Sequence, residues 1–193
     1  ALIGVVAAVT VSVLFSLLYS FFVSTLKTDN FAIGFALNIF ISSLTLYLSR
    51  IMFVGQNVFN SPDINAIPNL NVNLYFPLFN ELFSGFSVLT YIALGLLFIV
   101  SYIIYKTPFG LWLRAAGSQP DALTVSGKKV QNIQYLASVM TGVLCGLAGS
   151  QLSLSNVVMF SRDMSSGRGF IALAIILISG GRPIVILALS MLF

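Results

Sequence analysis

The sequence predicts an all-α protein: a polytopic bundle of transmembrane helices, with a short helix in a cytoplasmic loop and a broken or short membrane helix near the C-terminus. Two observations carry this. Hydrophobic residues make up 58% of the 193 residues and charged residues only 7%, where a soluble domain carries roughly a quarter charged. The apolar runs also reach the roughly 20 residues that a bilayer core demands, rather than the shorter runs of a soluble core.

The first apolar run, residues 2–26, ends at the polar turn Lys27-Thr28-Asp29-Asn30. It has neither the basic leader nor the small-residue cleavage site of a signal peptide, so it reads as a span. The turn is short, so the second span, residues 33–53, returns antiparallel, with Arg50 placed to snorkel to headgroups. Residues 54–85 change character: Asn57, Asn60, Asn65, Asn69, Asn71 and Asn73 gather with Pro62, Pro68 and Pro77, without Lys or Arg, which describes an outer loop. A third span follows over 86–105, with Tyr91, Tyr102 and Tyr105 near its ends.

Residues 106–132 carry Lys106, Arg114, Lys128 and Lys129 against Asp121 alone. The excess of cations marks a cytoplasmic loop, and Lys27 falls on the same side. Arg162 and Arg168 fall on the other side, with Asp163 next to the first. The fourth span, 133–157, contains Gly142 and Gly146, four apart, a spacing that lets helices approach closely. Tight packing within one bundle is the preferred reading over a dimerisation face. The segment 167–182, bounded by glycines and Pro183, is too short to cross a bilayer alone: a broken or re-entrant helix, or a tight span. The run 183–193 reaches about half the spanning length. With no initiating Met, the expectation is a single transmembrane domain, 1–193, truncated at both ends.

Composition also limits chemistry. The chain has no histidine and a single cysteine, Cys145, inside an apolar stretch. The commonest general base and metal ligand is therefore missing, and no disulfide or thiol pair within the chain can form. No catalytic residue, metal site or nucleic-acid interface is proposed. Gly127-Lys128-Lys129 lacks the upstream glycine and following hydroxyl of a phosphate-binding loop, so no nucleotide cofactor is assigned to this chain.

The cytoplasmic loop contains its own helix signals. Ser118 and Asp121 have capping-box spacing, Pro120 suits a first turn, and Gly127 suits a left-handed stop, which predicts a helix over residues 119–126. Two turns are unstable alone. A groove on a partner protein would supply the missing stability; a helix lying on the membrane surface is the alternative, with Phe109, Leu111 and Trp112 as anchors.

The segment TPFGLWLRAAGSQPDALTVSGKKV resembles the cytoplasmic coupling loop of the permease family that serves ABC importers of branched-chain amino acids, simple sugars and nucleosides. FAIGFALNIFISSLTLYLSR and SSGRGFIALAIILISGGRP resemble two further segments of that family, in the same order, so the likeness covers most of residues 27–183. It is closest to the simple-sugar and nucleoside branch, whose Arg-Ala-x-Gly, Pro-x-Ala and Gly pattern falls on Arg114, Ala115, Gly117, Pro120, Ala122 and Gly127. Gln119 and Leu123 depart from the usual Asn and Ala.

The resemblance implies a permease subunit of an ATP-driven importer, not an enzyme, in the bacterial cytoplasmic (inner) membrane. Its partners would be a separate ABC ATPase subunit that binds the ATP, a second permease subunit, an extracytoplasmic substrate-binding protein and membrane lipid. Arg114, Ala115, Gly117, Pro120, Asp121, Ala122 and Gly127 would form the ATPase-coupling site, with Arg114 an anchor to the ATPase or to anionic lipid. Asn38, Ser42, Thr45, Thr141 and Ser153 are candidates for lining the substrate pathway or for bonding helices together. The scarcity of intramembrane charge favours a small neutral solute such as a nucleoside or simple sugar. It also disfavours the alternative of a secondary active transporter, which needs an ion-coupling carboxylate. A membrane scaffold recruiting a cytosolic partner is the remaining alternative.

Overall fold

A computed structural model of the chain describes residues 2–52, 58–59, 88–153, 160–161, 165 and 167–192. Helix α1, Leu2–Ser20, continues into a π-helical turn, Phe21–Thr25. Lys27 takes a left-handed φ of 52°, and the Thr28 hydroxyl donates to the Phe22 carbonyl at 2.7 Å, which reverses the chain. Asp29 starts α2, Asn30–Met52: its Oδ1 accepts from the N–H groups of Phe31 and Ala32 at 2.8 and 3.2 Å. This N-cap satisfies donors that a helix start otherwise leaves unpaired, and it begins the helix before the apolar run alone indicates.

Helix α3, Val88–Lys106, leads into α4, Pro108–Ser118, and α5, Pro120–Val125; α6 then runs over Val130–Gln151. A two-residue antiparallel bridge pairs β1, Val58–Phe59, with β2, Phe160–Ser161. The remainder of the loop 54–85, the Asn and Pro residues named for it, and the pair Arg162 and Asp163 lie outside the described residues.

Among the described residues, four helical stretches are long and apolar enough to cross a membrane: Leu2–Thr25, Asn30–Ile51, Val88–Lys106 and Val130–Gln151. Beyond them, α7, Arg168–Ser179, and α8, Pro183–Leu192, are separated by Gly180-Gly181-Arg182. Both glycines are left-handed, with φ of 58° and 74°. The N–H of Gly181 reaches back to the Ile176 carbonyl and that of Gly180 to Leu177, a Schellman closure. The 12 residues of α7 extend only about 18 Å at 1.5 Å each, short of a bilayer core of about 30 Å.

The tightest packing joins α1 and α6, which run antiparallel. A Cβ on Gly146 would stand 2.6 Å from the Val9 Cα, and one on Gly142 would stand 2.9 Å from the Val13 Cα and the Ser16 Cβ. The glycine pair is therefore used inside this chain, to bring two of its own helices into backbone contact. Toward the π-turn the same seam becomes polar. The Ser16 hydroxyl donates to the Ser138 carbonyl, Ser24 Oγ to Gln134 Oε1 at 2.6 Å, and Thr25 bonds Tyr135 at 2.8 Å. Gln131 Nε2 also reaches the Ser24 carbonyl at 3.2 Å.

Candidate functional site

These contacts set the two loops side by side. Because Ser24 and Thr25 bond Gln131, Gln134 and Tyr135, the Lys27 turn lies beside the start of α6, which follows Lys128 and Lys129. Lys106 closes α3 immediately before α4. One end of the bundle thus gathers Lys27, Lys106, Arg114, Lys128 and Lys129, all exposed.

The element at that end is a two-helix elbow, α4 and α5. Thr107, extended at φ −107°, caps α4: its Oγ1 accepts from the Gly110 N–H at 3.3 Å and donates to the Ile103 carbonyl at 2.6 Å. Pro108 occupies the first turn, where its missing N–H costs nothing. Gly110 is buried against the end of α3, so close that a Cβ would overlap the carbonyls of Ile103 and Ile104. Any other residue there would push the elbow off the bundle.

Gln119 breaks the two helices, at φ −145° and ψ 83°, outside the helical region that a following proline disfavours. The capping box expected from Ser118 and Asp121 does not form. Ser118 ends α4 and its hydroxyl donates back to the Arg114 carbonyl at 3.1 Å; Gln119 stands at the junction, so the serine is one residue out of register. The helix expected over 119–126 is the shorter α5, and the longer α4 precedes it. Gly127, at φ +73°, stops α5, with its N–H on the Thr124 carbonyl at 3.0 Å and that of Lys128 on Leu123 at 3.1 Å.

The elbow brings all the predicted coupling residues together. Arg114, Ala115 and Gly117 sit on α4, Pro120, Asp121 and Ala122 on α5, and Gly127 at its stop. Pro120, Asp121 and Val125 are exposed, Val125 to 89%. Arg114 does not project freely: its guanidinium lies 5.3 Å from the Tyr105 ring centroid, back on α3. Leu123 is 3% exposed, packed where α5 meets α4 and α6. Its departure from the family pattern therefore acts inward, on the elbow's own packing.

The pathway candidates are not brought together. Asn38, Ser42 and Thr45 recur at helical spacing along α2 and are exposed; Thr141 and Ser153 lie on α6 and its extension, while α2 packs chiefly on α1 and the π-turn. Thr45 and Thr141 donate to the carbonyls of Ile41 and Ala137, at 2.8 and 3.0 Å, within their own helices. None of the five lines either of two cavities. One, of about 350 Å³, is apolar and lies between α3, α6 and the start of α8, and its polar lining residue Gln151 bonds Thr90 at 2.8 Å. The other, of about 220 Å³, lies at the α1–α6 seam and is lined by Ser20, Ser24, Asn30, Gln134 and Ser138. No reading of the sequence alone singled out that group, because it depends on which helices pair.

Apolar spanning helices and an elbow held at a basic end define a multi-pass helical membrane protein. The chain belongs to the family described as branched-chain amino acid transport system / permease component, whose model matches residues 1–193. It is similar to the guanosine ABC transporter permease protein NupQ of Bacillus subtilis, 28% identical over 194 residues, covering 98% of this chain and 60% of the relative. The nucleoside ABC transporter permease protein NupC of Lactococcus lactis is 27% identical, covering 95% of this chain and 58% of that protein. The ribose import permease protein RbsC of Bacillus subtilis is 29% identical over 127 residues, covering 55% of this chain and 39% of that protein. The chain spans about three fifths of the length of the first two relatives. No solved structure matches it.

Proposed function

We propose that the chain is part of the membrane-spanning permease subunit of an ATP-driven ABC importer that translocates a small neutral solute, a nucleoside or simple sugar. The observation that carries this reading is the elbow: an exposed short helix, fixed to the basic end of an apolar bundle, in a chain matched over its whole length by a permease family. The basic end is the cytoplasmic end in this reading, and the membrane is the bacterial cytoplasmic membrane. An ABC ATPase subunit docks on Pro120, Asp121 and Val125. Closure of its nucleotide sites moves the elbow, and the helices joined to it switch between outward and inward openings. A second permease subunit completes the pathway, and an extracytoplasmic binding protein delivers the solute.

The chain performs no chemistry in this scheme; ATP is bound and hydrolysed by the separate subunit. The test is uptake of tritiated guanosine and of labelled ribose into proteoliposomes holding the complete assembly. Uptake that requires internal ATP and survives collapse of ion gradients is the expected result. Gradient-driven uptake without ATP would assign a secondary transporter, and no uptake of any labelled nucleoside or sugar would assign a scaffold.

A further inference from the structure

We infer that Trp112 and Lys128 form a brace that carries a push on α5 into the membrane helices, which makes them positioning residues for coupled transport; this rests on the importer reading above. The six residues of α5 are too few to hold a helix by themselves, so a force on them travels only as far as their attachments allow. At the N-terminal end the Gln119 N–H bonds the Ala115 carbonyl at 2.9 Å. Beneath the helix, Leu123 is buried. At the C-terminal end there is a left-handed glycine, a natural pivot, and the residue that follows it is Lys128.

Lys128 makes two contacts with different elements. Its backbone N–H closes α5 on the Leu123 carbonyl at 3.1 Å, and its ammonium stands 4.5 Å from the centroid of the Trp112 ring on α4. Within two residues the chain then becomes α6. Trp112 in turn lies just beyond Gly110, the point at which α4 rests on the carbonyls that end α3. The route from α5 thus reaches α4 and α3 through an ammonium on an indole face and a glycine contact, and reaches α6 through the backbone. Without the brace, α5 keeps its exposed face but swings about Gln119 and Gly127, so that a docked ATPase moves α5 with a smaller movement of α4 and the bundle.

The variants Lys128→Gln, Trp112→Leu and the pair together, with Lys128→Arg as the conservative replacement, are tested in the complete assembly in proteoliposomes. Tritiated guanosine taken up per ATP hydrolysed is the readout. Each single change is expected to lower this ratio about three- to fivefold, the range that an exposed cation–π contact supports, while ATPase retention and hydrolysis stay at the wild-type level. The double variant is expected to match either single one, and Lys128→Arg to keep the wild-type ratio. Unchanged ratios in both single variants, multiplying losses in the double variant, or a Lys128→Arg loss equal to that of Lys128→Gln would each overturn the brace. Lys128 is on the surface, so its variants decide the matter even if Trp112→Leu fails to fold. A wild-type assembly that moves no solute with ATP contradicts the importer reading instead.

Discussion

Single residues fix where this chain turns. Asp29 receives two N–H groups at the start of α2, and Thr107 both caps α4 and holds the end of α3. Replacing Asp29 by Ala removes the acceptor without altering the apolar run, so helix α2 loses about 1 kcal/mol, read as a lower unfolding temperature in detergent micelles. Neither cap is read from the sequence, where Asp29 belongs to a polar turn and no helix is expected after Thr107, because cap signals are short. They mislead when the register slips by one. Ser118 and Asp121 have the right spacing, but Pro120 forces Gln119 to be the junction, and the hydroxyl turns back to Arg114. Leu123 shows the same limit: it lies within a predicted docking helix, yet only the structure shows its side chain pointing inward.

At the scale of elements, the spanning helices were legible because a bilayer imposes a minimum apolar length, and that length is countable. Which helices pair was not. The spacing of Gly142 and Gly146 indicates close approach but does not name the partner, which is α1. Replacing Gly146 by Val drives a side chain into the Val9 backbone and costs about 1–3 kcal/mol. Gly149, with nothing within 4 Å of its Cβ position, accepts Ala without loss. Thermal unfolding of Gly146→Ala and Gly149→Ala beside the valine variant checks the packing, since these two changes lie on one helix, add the same methyl group and differ in what it meets. Helix α4 escaped the sequence reading for a related reason. Its glycines, Gly110 and Gly117, disfavour a helix by propensity, and the need for Gly110 appears only when the end of α3 is seen against it. The Lys128–Trp112 contact depends on the turn between α5 and α6 and leaves no local signature.

For the whole molecule, the spans are the part least particular to any function. Among the described residues their apolar faces are largely uncovered; α2, for example, exposes Phe31, Phe35, Ile39 and Phe40, which suits contact with lipid or with other helices. The substrate pathway was the least legible part: polar side chains within a span serve equally as helix contacts, and two of the five candidates, Thr45 and Thr141, bond to carbonyls of their own helix. The elbow is the part that differs from a generic membrane bundle, and the proposed function stands or falls on its exposed face. The measurement that tests this most directly is the amount of ABC ATPase subunit retained by the complete permease after Val125→Asp, a change on a side chain 89% exposed and so without effect on the fold. Retention is expected to fall roughly tenfold, as for a central apolar contact of an interface, with membrane insertion unchanged. Undiminished retention and undiminished ATP-driven uptake would contradict the elbow as the docking site.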